Sequence, residues 1–221
     1  MRHCIRADSL PFDADGLKAA FAPIADEFEM DWQLSDSGSP KKVILMASKQ
    51  SHCLVDLLHR WHSGELECDI PCVISNHDDL RSLVEWHGIP YFHVPVDKDN
   101  KAEHFRRVTE IVEEHKADTI VLARYMQILP PALCERYAHR IINIHHSFLP
   151  AFAGANPYQQ ALDRGVKIIG ATAHYVTAEL DQGPIIDQEI ARVSHRNDVH
   201  ALRLLGRDLE RQTLLRAVQW H

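Results

Sequence analysis

Apolar residues arrive along this chain in short blocks, and the spacing inside each block sorts the blocks into two kinds. Val43 to Ala47, Cys72 to Ser75, Thr119 to Ala123 and Ile141 to Ile144 are nearly continuous apolar runs, the composition of strands covered on both faces. Between them, Cys53 to Ser63, Asp79 to His87 and Ala102 to His115 read as helical segments. Such alternation predicts an α/β fold with a mostly parallel sheet and helices on both faces. Further strands are predicted at Lys167 to Tyr175 and Ile185 to Arg192, and a helix from Asp198 completes the layout. Ligands in this architecture bind beyond the carboxyl ends of strands, where the segments starting at Arg124 and Ile144 lie.

The polar stretch Ser35-Asp-Ser-Gly-Ser-Pro-Lys-Lys42 divides the chain. The expected organisation is a small segment at 1–35, a linker at 36–42 and a main domain at 43–221. Within the small segment a strand is expected near His3 to Arg6 and another around Met30 to Leu34. Between them an amphipathic helix lies within Ala14 to Glu29, with Leu17, Phe21, Ile24 and Phe28 on one face. This β-α-β piece cannot bury much by itself. Its unpaired strand edges predict self-association, so a homo-oligomer is expected.

Composition narrows the function class. A length of 221 residues with 45% hydrophobic content suits one sizeable core plus an appendage. No stretch approaches the roughly 18 consecutive apolar residues of a membrane span, and Met-Arg-His-Cys-Ile-Arg at the start lacks the apolar region of a secretion signal. Five cysteines without regular spacing fit reduced thiols, so a cytoplasmic protein is expected. A net charge of −7 with dispersed basic residues argues against a nucleic-acid surface.

The candidate chemistry gathers in two places. Asn143-Ile-His-His-Ser-Phe-Leu-Pro150 follows an apolar run and sets an amide, two imidazoles and a hydroxyl where a buried strand opens into a loop. An Asn N–H aimed at a developing alkoxide stabilises it, which makes Asn143 an oxyanion donor, though Asn is also a common turn former. The imidazole of His145 is the kind of group that can carry a proton to or from a tetrahedral intermediate. His146 points away from its neighbour in an extended segment, and so shapes the wall rather than reacting. Asp181, before Gln-Gly-Pro, offers a carboxylate to orient or charge an imidazole, or else forms the turn. Metal chemistry is the weaker reading, since neither a His-x-x-x-His pair nor paired Cys-x-x-Cys units occur.

At these residues the chain resembles the formyltransferase-fold family that uses 10-formyltetrahydrofolate. The family signature is Asn-x-His-x-Ser-x-Leu-Pro followed by His-x-Val-Thr-x-x-x-Asp-x-Gly-Pro, here Asn143 to Pro150 and His174 to Pro184. Leu122 to Leu129 and Lys167 to Tyr175 match as well. Within the family the pattern is most similar to the formyltetrahydrofolate deformylases, because His146 stands where transferases usually have Pro and because Phe148-Leu-Pro-Ala-Phe and Gly154-Ala-Asn-Pro-Tyr158 follow. The resemblance implies a Rossmann-like formyltransferase sheet, and Asn143, His145 and Asp181 as catalytic residues. It also implies a pterin pocket built from Met126, Gln127, Ile128, Leu129, His146, Val176 and Leu180. It implies a folate substrate, 10-formyltetrahydrofolate, with no permanently bound cofactor and no metal. For the small segment it implies the second half of an ACT module, the first strand-helix-strand half being absent, and at the other end a further strand past His221.

Hydrolysis to tetrahydrofolate and formate, supplying formate for purine biosynthesis, is the activity the resemblance implies. Formyl transfer to an amine such as glycinamide ribonucleotide is the alternative. A transferase must hold a phosphate, which a glycine-rich turn after the first strand does with close backbone N–H groups. Here that turn is Ser48-Lys-Gln-Ser-His-Cys53, without glycine, although Lys49 can contact an anion. Water is therefore the expected acceptor. A third reading, a catalytically weak folate-binding subunit, rests on the incomplete edges.

Overall fold

The structure, a computed structural model, describes residues 3–32, 34, 36, 38–97, 99–150 and 157–221. The chain divides into two compact units, Met1–Pro40 and Lys41–His221. The segment Gly154-Ala-Asn lies outside the described residues, as do Ala151 and Phe152 of the Phe-Leu-Pro-Ala-Phe pattern and Ser35 and Ser37 of the linker.

Among its described residues the first unit holds a 3-10 turn at Ala7–Ser9 and one helix, α1 (Ala14–Glu27). Asp13 caps α1 by accepting the Gly16 N–H at 2.9 Å, satisfying one of the amides a helix start leaves open. The expected strands at His3 to Arg6 and Met30 to Leu34 do not form among the described residues. An isolated strand pair is at best marginal in water. The helix itself is as expected, with Leu17 and Phe21 half-buried, while Ile24 and Phe28 of the same stripe stay exposed.

The second unit is built on a seven-stranded sheet in the order β3-β2-β1-β4-β5-β6-β7. The strands are β1 (Val43–Ala47), β2 (Val73–Ser75), β3 (Tyr91–His93), β4 (Thr119–Leu122), β5 (Ile141–His145), β6 (Ile168–Tyr175) and β7 (Ile185–Arg192). Strands β1 to β5 pair in parallel, and β6 and β7 join antiparallel. The helices are α2 (His52–His62), α3 (Arg81–Trp86), α4 (Lys101–Glu114), α5 (Pro131–Arg136), α6 (Pro157–Asp163) and α7 (Val199–Trp220). Among the described residues no helix is long and apolar enough to cross a membrane.

Alternation along β1 shows how the sheet sits between its two helix layers. Val43, Leu45 and Ala47 pack in one core with Leu54, Leu57 and Leu58 of α2 and Leu202 and Leu214 of α7. Ile44 and Met46 pack in the other with Val108 and Ile111 of α4 and Leu133 of α5. Each of these large side chains, fully withdrawn from water, contributes about 1.5–3 kcal/mol. The chain runs from β1 outward to β3 and then crosses back to β4, so strand order reverses between β1 and β4. That reversal opens a crevice beyond their carboxyl ends, beside the exit of β5.

Candidate active site

Strand geometry brings the first two candidates together. Asn143 and His145 are two apart on β5, so both project from one face, and antiparallel pairing sets His174 of β6 opposite Asn143. The Asn143 Nδ2–H donates to His174 Nε2 at 3.1 Å, and the His174 Nδ1–H donates to the Tyr175 carbonyl at 2.9 Å. That second bond fixes the tautomer in which Nε2 accepts, and so holds the amide with its nitrogen toward His174.

Asp181 reaches the same place through a tight return of the chain. Gly183 lies against the end of β6 so closely that a Cβ there would meet the Tyr175 carbonyl oxygen at 1.7 Å. The Tyr175 N–H donates to the Pro184 carbonyl at 2.9 Å, and Asp181 takes a left-handed φ of 57°. Its carboxylate lies 3.3 Å from His145 Nδ1 and 3.6 Å from His174 Nε2. The His145 ring, and after it the His174 ring, holds the carboxyl well below the usual carboxylate range despite its partial burial. His145 is buried, and its Nε2 has no hydrogen-bond partner among the described residues. The arrangement is an anion behind an imidazole whose far nitrogen is unengaged, next to a fixed amide.

The pocket candidates lie on two loops nearby. Met126, Ile128 and Leu180 are 57%, 56% and 60% exposed, a concentration of uncovered apolar side chains that calls for a ligand or partner. Leu129 is buried, Gln127 is half-buried, and Val176 packs with the cluster that contains Tyr125 and Leu129. The Met126 N–H donates to Ser48 Oγ at 2.9 Å, tying this loop to the exit of β1.

His146 falls on the opposite side of β5, with its ring centroid 5.2 Å from that of His145 and 6.0 Å from that of Tyr158. Burial, reinforced by the Arg124 guanidinium, pushes its pKa down to about 4, so the ring is neutral at physiological pH. Beside it lies a polar cluster that the sequence reading missed. Glu210 of α7 accepts from Tyr158 Oη at 2.9 Å, bonds His52 Nε2 at 2.8 Å and lies 3.4 Å from Arg124 Nε. Burial works against the Glu210 anion, but His52, Arg124 and Tyr158 outweigh it, and its pKa is lowered. Taking one partner from such a buried set typically costs about 3–5 kcal/mol. His52, Cys53 and Glu210 approach one another closely enough to ligate a metal, yet the Arg124 cation beside the carboxylate opposes a second cation there.

A profile of the family described as formyl transferase matches residues 41–218. The chain belongs to the formyl transferase family. It is 52% identical over 205 residues to the formyltetrahydrofolate deformylase of Bacillus subtilis, covering 93% of this chain and 68% of that one. The crystal structure of a formyltetrahydrofolate deformylase from Pseudomonas syringae pv. tomato superposes with a TM-score of 0.95 at 64% identity, over 97% of this chain and 72% of that one. Glycinamide ribonucleotide transformylase 1 of Symbiobacterium toebii is a more distant formyl transferase relative, with a TM-score of 0.76 and 26% identity over 85% and 90% of the two chains.

Among the residues missed, His174 stood inside a recognised motif without a role assigned to it. Cross-strand pairing, which a sequence does not display, is what gives it one. Glu210 carried a signal that could have been read, because Leu202, Gly206, Leu209, Glu210, Thr213 and Ala217 are all on the buried stripe of α7. A carboxylate in that stripe needs partners.

Proposed function

We propose that this protein hydrolyses 10-formyltetrahydrofolate to tetrahydrofolate and formate, with Asn143, His145 and Asp181 acting as one unit. The observation that carries the mechanism is the buried His145 ring, paired through Nδ1 with an anionic Asp181 and unengaged at Nε2. Water adds to the formyl carbon, and the second Nδ2–H of Asn143 donates to the oxygen as it becomes an alkoxide, an interaction typically worth about 10²–10³ in rate. His145 takes the proton from the attacking water and Asp181 stabilises the resulting imidazolium. The carbon–nitrogen bond then breaks as His145 passes that proton to the folate nitrogen, and formic acid leaves, losing its remaining proton to water as formate. Every proton and electron pair is accounted for by water and these side chains, so the reaction needs no resident cofactor.

The exposed apolar residues Met126, Ile128 and Leu180 form the pterin pocket together with Gln127, Leu129 and Val176, whereas His146, expected in its wall, packs against Tyr158 on the other side of β5. Water is the acceptor because the turn at Ser48 to Cys53 offers no glycine cradle for phosphate, and because the relatives of greatest likeness above are deformylases by name. The test is to incubate the protein with 10-formyltetrahydrofolate alone. Formate and tetrahydrofolate should appear in equal amounts, whereas turnover only after addition of glycinamide ribonucleotide would assign the chain to the transferases.

A further inference from the structure

The proposed reaction leaves one buried ion cluster unused, and that cluster occupies a telling place. In an open α/β sheet the crevice at the reversal of strand order is where a phosphate-bearing ligand settles, with its anion against the start of the following helix. Here the crevice lies between the exits of β1 and β4, and α2 starts at His52. The chain closes this crevice with its own groups. The Ser48 N–H donates to the Arg124 carbonyl at 3.2 Å, and Ser48 Oγ donates to Asn76 Oδ1 at 2.7 Å. Arg124, at the exit of β4, and His52, at the start of α2, both turn to the Glu210 carboxylate.

Two features mark this as an anion site filled from within. Arg124 is 6% exposed, and its Nε lies 3.4 Å from Glu210 without a hydrogen bond to any described residue, a cation brought to a carboxylate by charge rather than by a fitted bond. Tyr158, the fourth member, is wedged so tightly against α7 that a Cβ on Gly206 would lie 1.9 Å from its hydroxyl. The cluster is packed as well as paired.

We propose that Glu210 selects the acceptor: its carboxylate fills the anion site formed by Arg124, His52 and the start of α2, keeping out a phosphate-bearing amine and leaving water as the nucleophile. This rests on the hydrolase reading above and says how that choice is enforced.

Inorganic phosphate is the probe. Wild type, Glu210→Ala and Glu210→Gln are titrated with phosphate at constant ionic strength, with chloride as control, and melting temperature and formate release are followed. In Glu210→Ala the Arg124 cation and the His52 ring face an emptied space. Phosphate should raise its melting temperature and inhibit formate release, and at about ten times its dissociation constant it should favour the folded state about tenfold. Wild type and Glu210→Gln, whose side chains still fill the site, should respond to neither. A folded Glu210→Ala protein indifferent to phosphate, or an equal response in all three proteins, overturns the proposal. If Glu210→Ala does not fold in chloride, phosphate should restore the fold, and failure to do so overturns it equally. Formate release by wild type without any amine reads the hydrolase assignment separately, so the two ideas fail independently.

Discussion

His146 gives a sharp test because its ring is held neutral where an exposed imidazole would ionise. Its pKa falls from 6.5 to about 4, chiefly through burial and then through the nearby Arg124. The sign follows directly. Between pH 6.5 and 4 the unfolded chain takes up a proton at this position and the folded chain does not, so the stability is fully present above pH 6.5 and is lost as pH falls toward the folded value. Linkage with these two values gives a loss of about 2 kcal/mol between pH 7 and 5, rising to about 3 kcal/mol by pH 4. His146→Gln removes the titration while keeping a polar group of similar length. His221, also lowered to about 4, and His104, also lowered, contribute with the same sign but are common to both proteins and cancel in the comparison. Urea unfolding at pH 7 and pH 5 is the assay. Wild type should lose about 2 kcal/mol more than His146→Gln over that interval. Parallel losses in the two proteins would show that His146 is not held neutral by the fold.

Asp181→Asn keeps the shape but removes the anion behind His145, and turnover should drop about 10⁴-fold in a folded protein. Combining it with His145→Ala should be little worse than the poorer single change, because residues acting as one unit are not additive; additive losses measured by steady-state kinetics would break the unit apart. Gly183→Ala forces a Cβ into the Tyr175 carbonyl, so the turn carrying Asp181 must shift, and a displacement near 1 Å should cost about 10²-fold in kcat with an unchanged far-UV spectrum. Met126→Ser and Leu180→Ser each remove an exposed apolar contact, and each should raise KM for the folate by roughly tenfold while leaving kcat near wild type. A fall in kcat with constant KM would place these side chains outside the pterin pocket.

Much of the sheet was legible in the sequence because β1, β4 and β5 are covered on both faces and spell themselves as apolar runs. Strand β3 was not, since Tyr91-Phe-His93 is three residues long and belongs to the sheet only through its pairing with β2. Helices α5 and α6 follow or begin with proline in segments of weak periodicity. The two strands expected before residue 35 do not form among the described residues, because a locally plausible apolar run is not by itself a strand. Asn143, His145 and Asp181, the proposed catalytic set, could be singled out because each stands in a compact motif. The Glu210 cluster could not, because its members His52, Arg124, Tyr158 and Glu210 are drawn from four distant segments and their meeting is a property of the fold alone.

Arg124 and Asp181 hold φ values of 65° and 57°, a conformation that costs a residue with a Cβ roughly 1 kcal/mol, and Arg more than Asp. Arg124 belongs to the buried Glu210 cluster and Asp181 to the proposed catalytic unit. Glycine at Arg124 would relieve that strain but take the cation from the buried Glu210 set, a loss of about 3–5 kcal/mol that exceeds the strain relieved. The left-handed turn at Arg124 is thus a strained backbone held in place by charge, and Arg124→Gly should lower the melting temperature even though it relaxes the main chain.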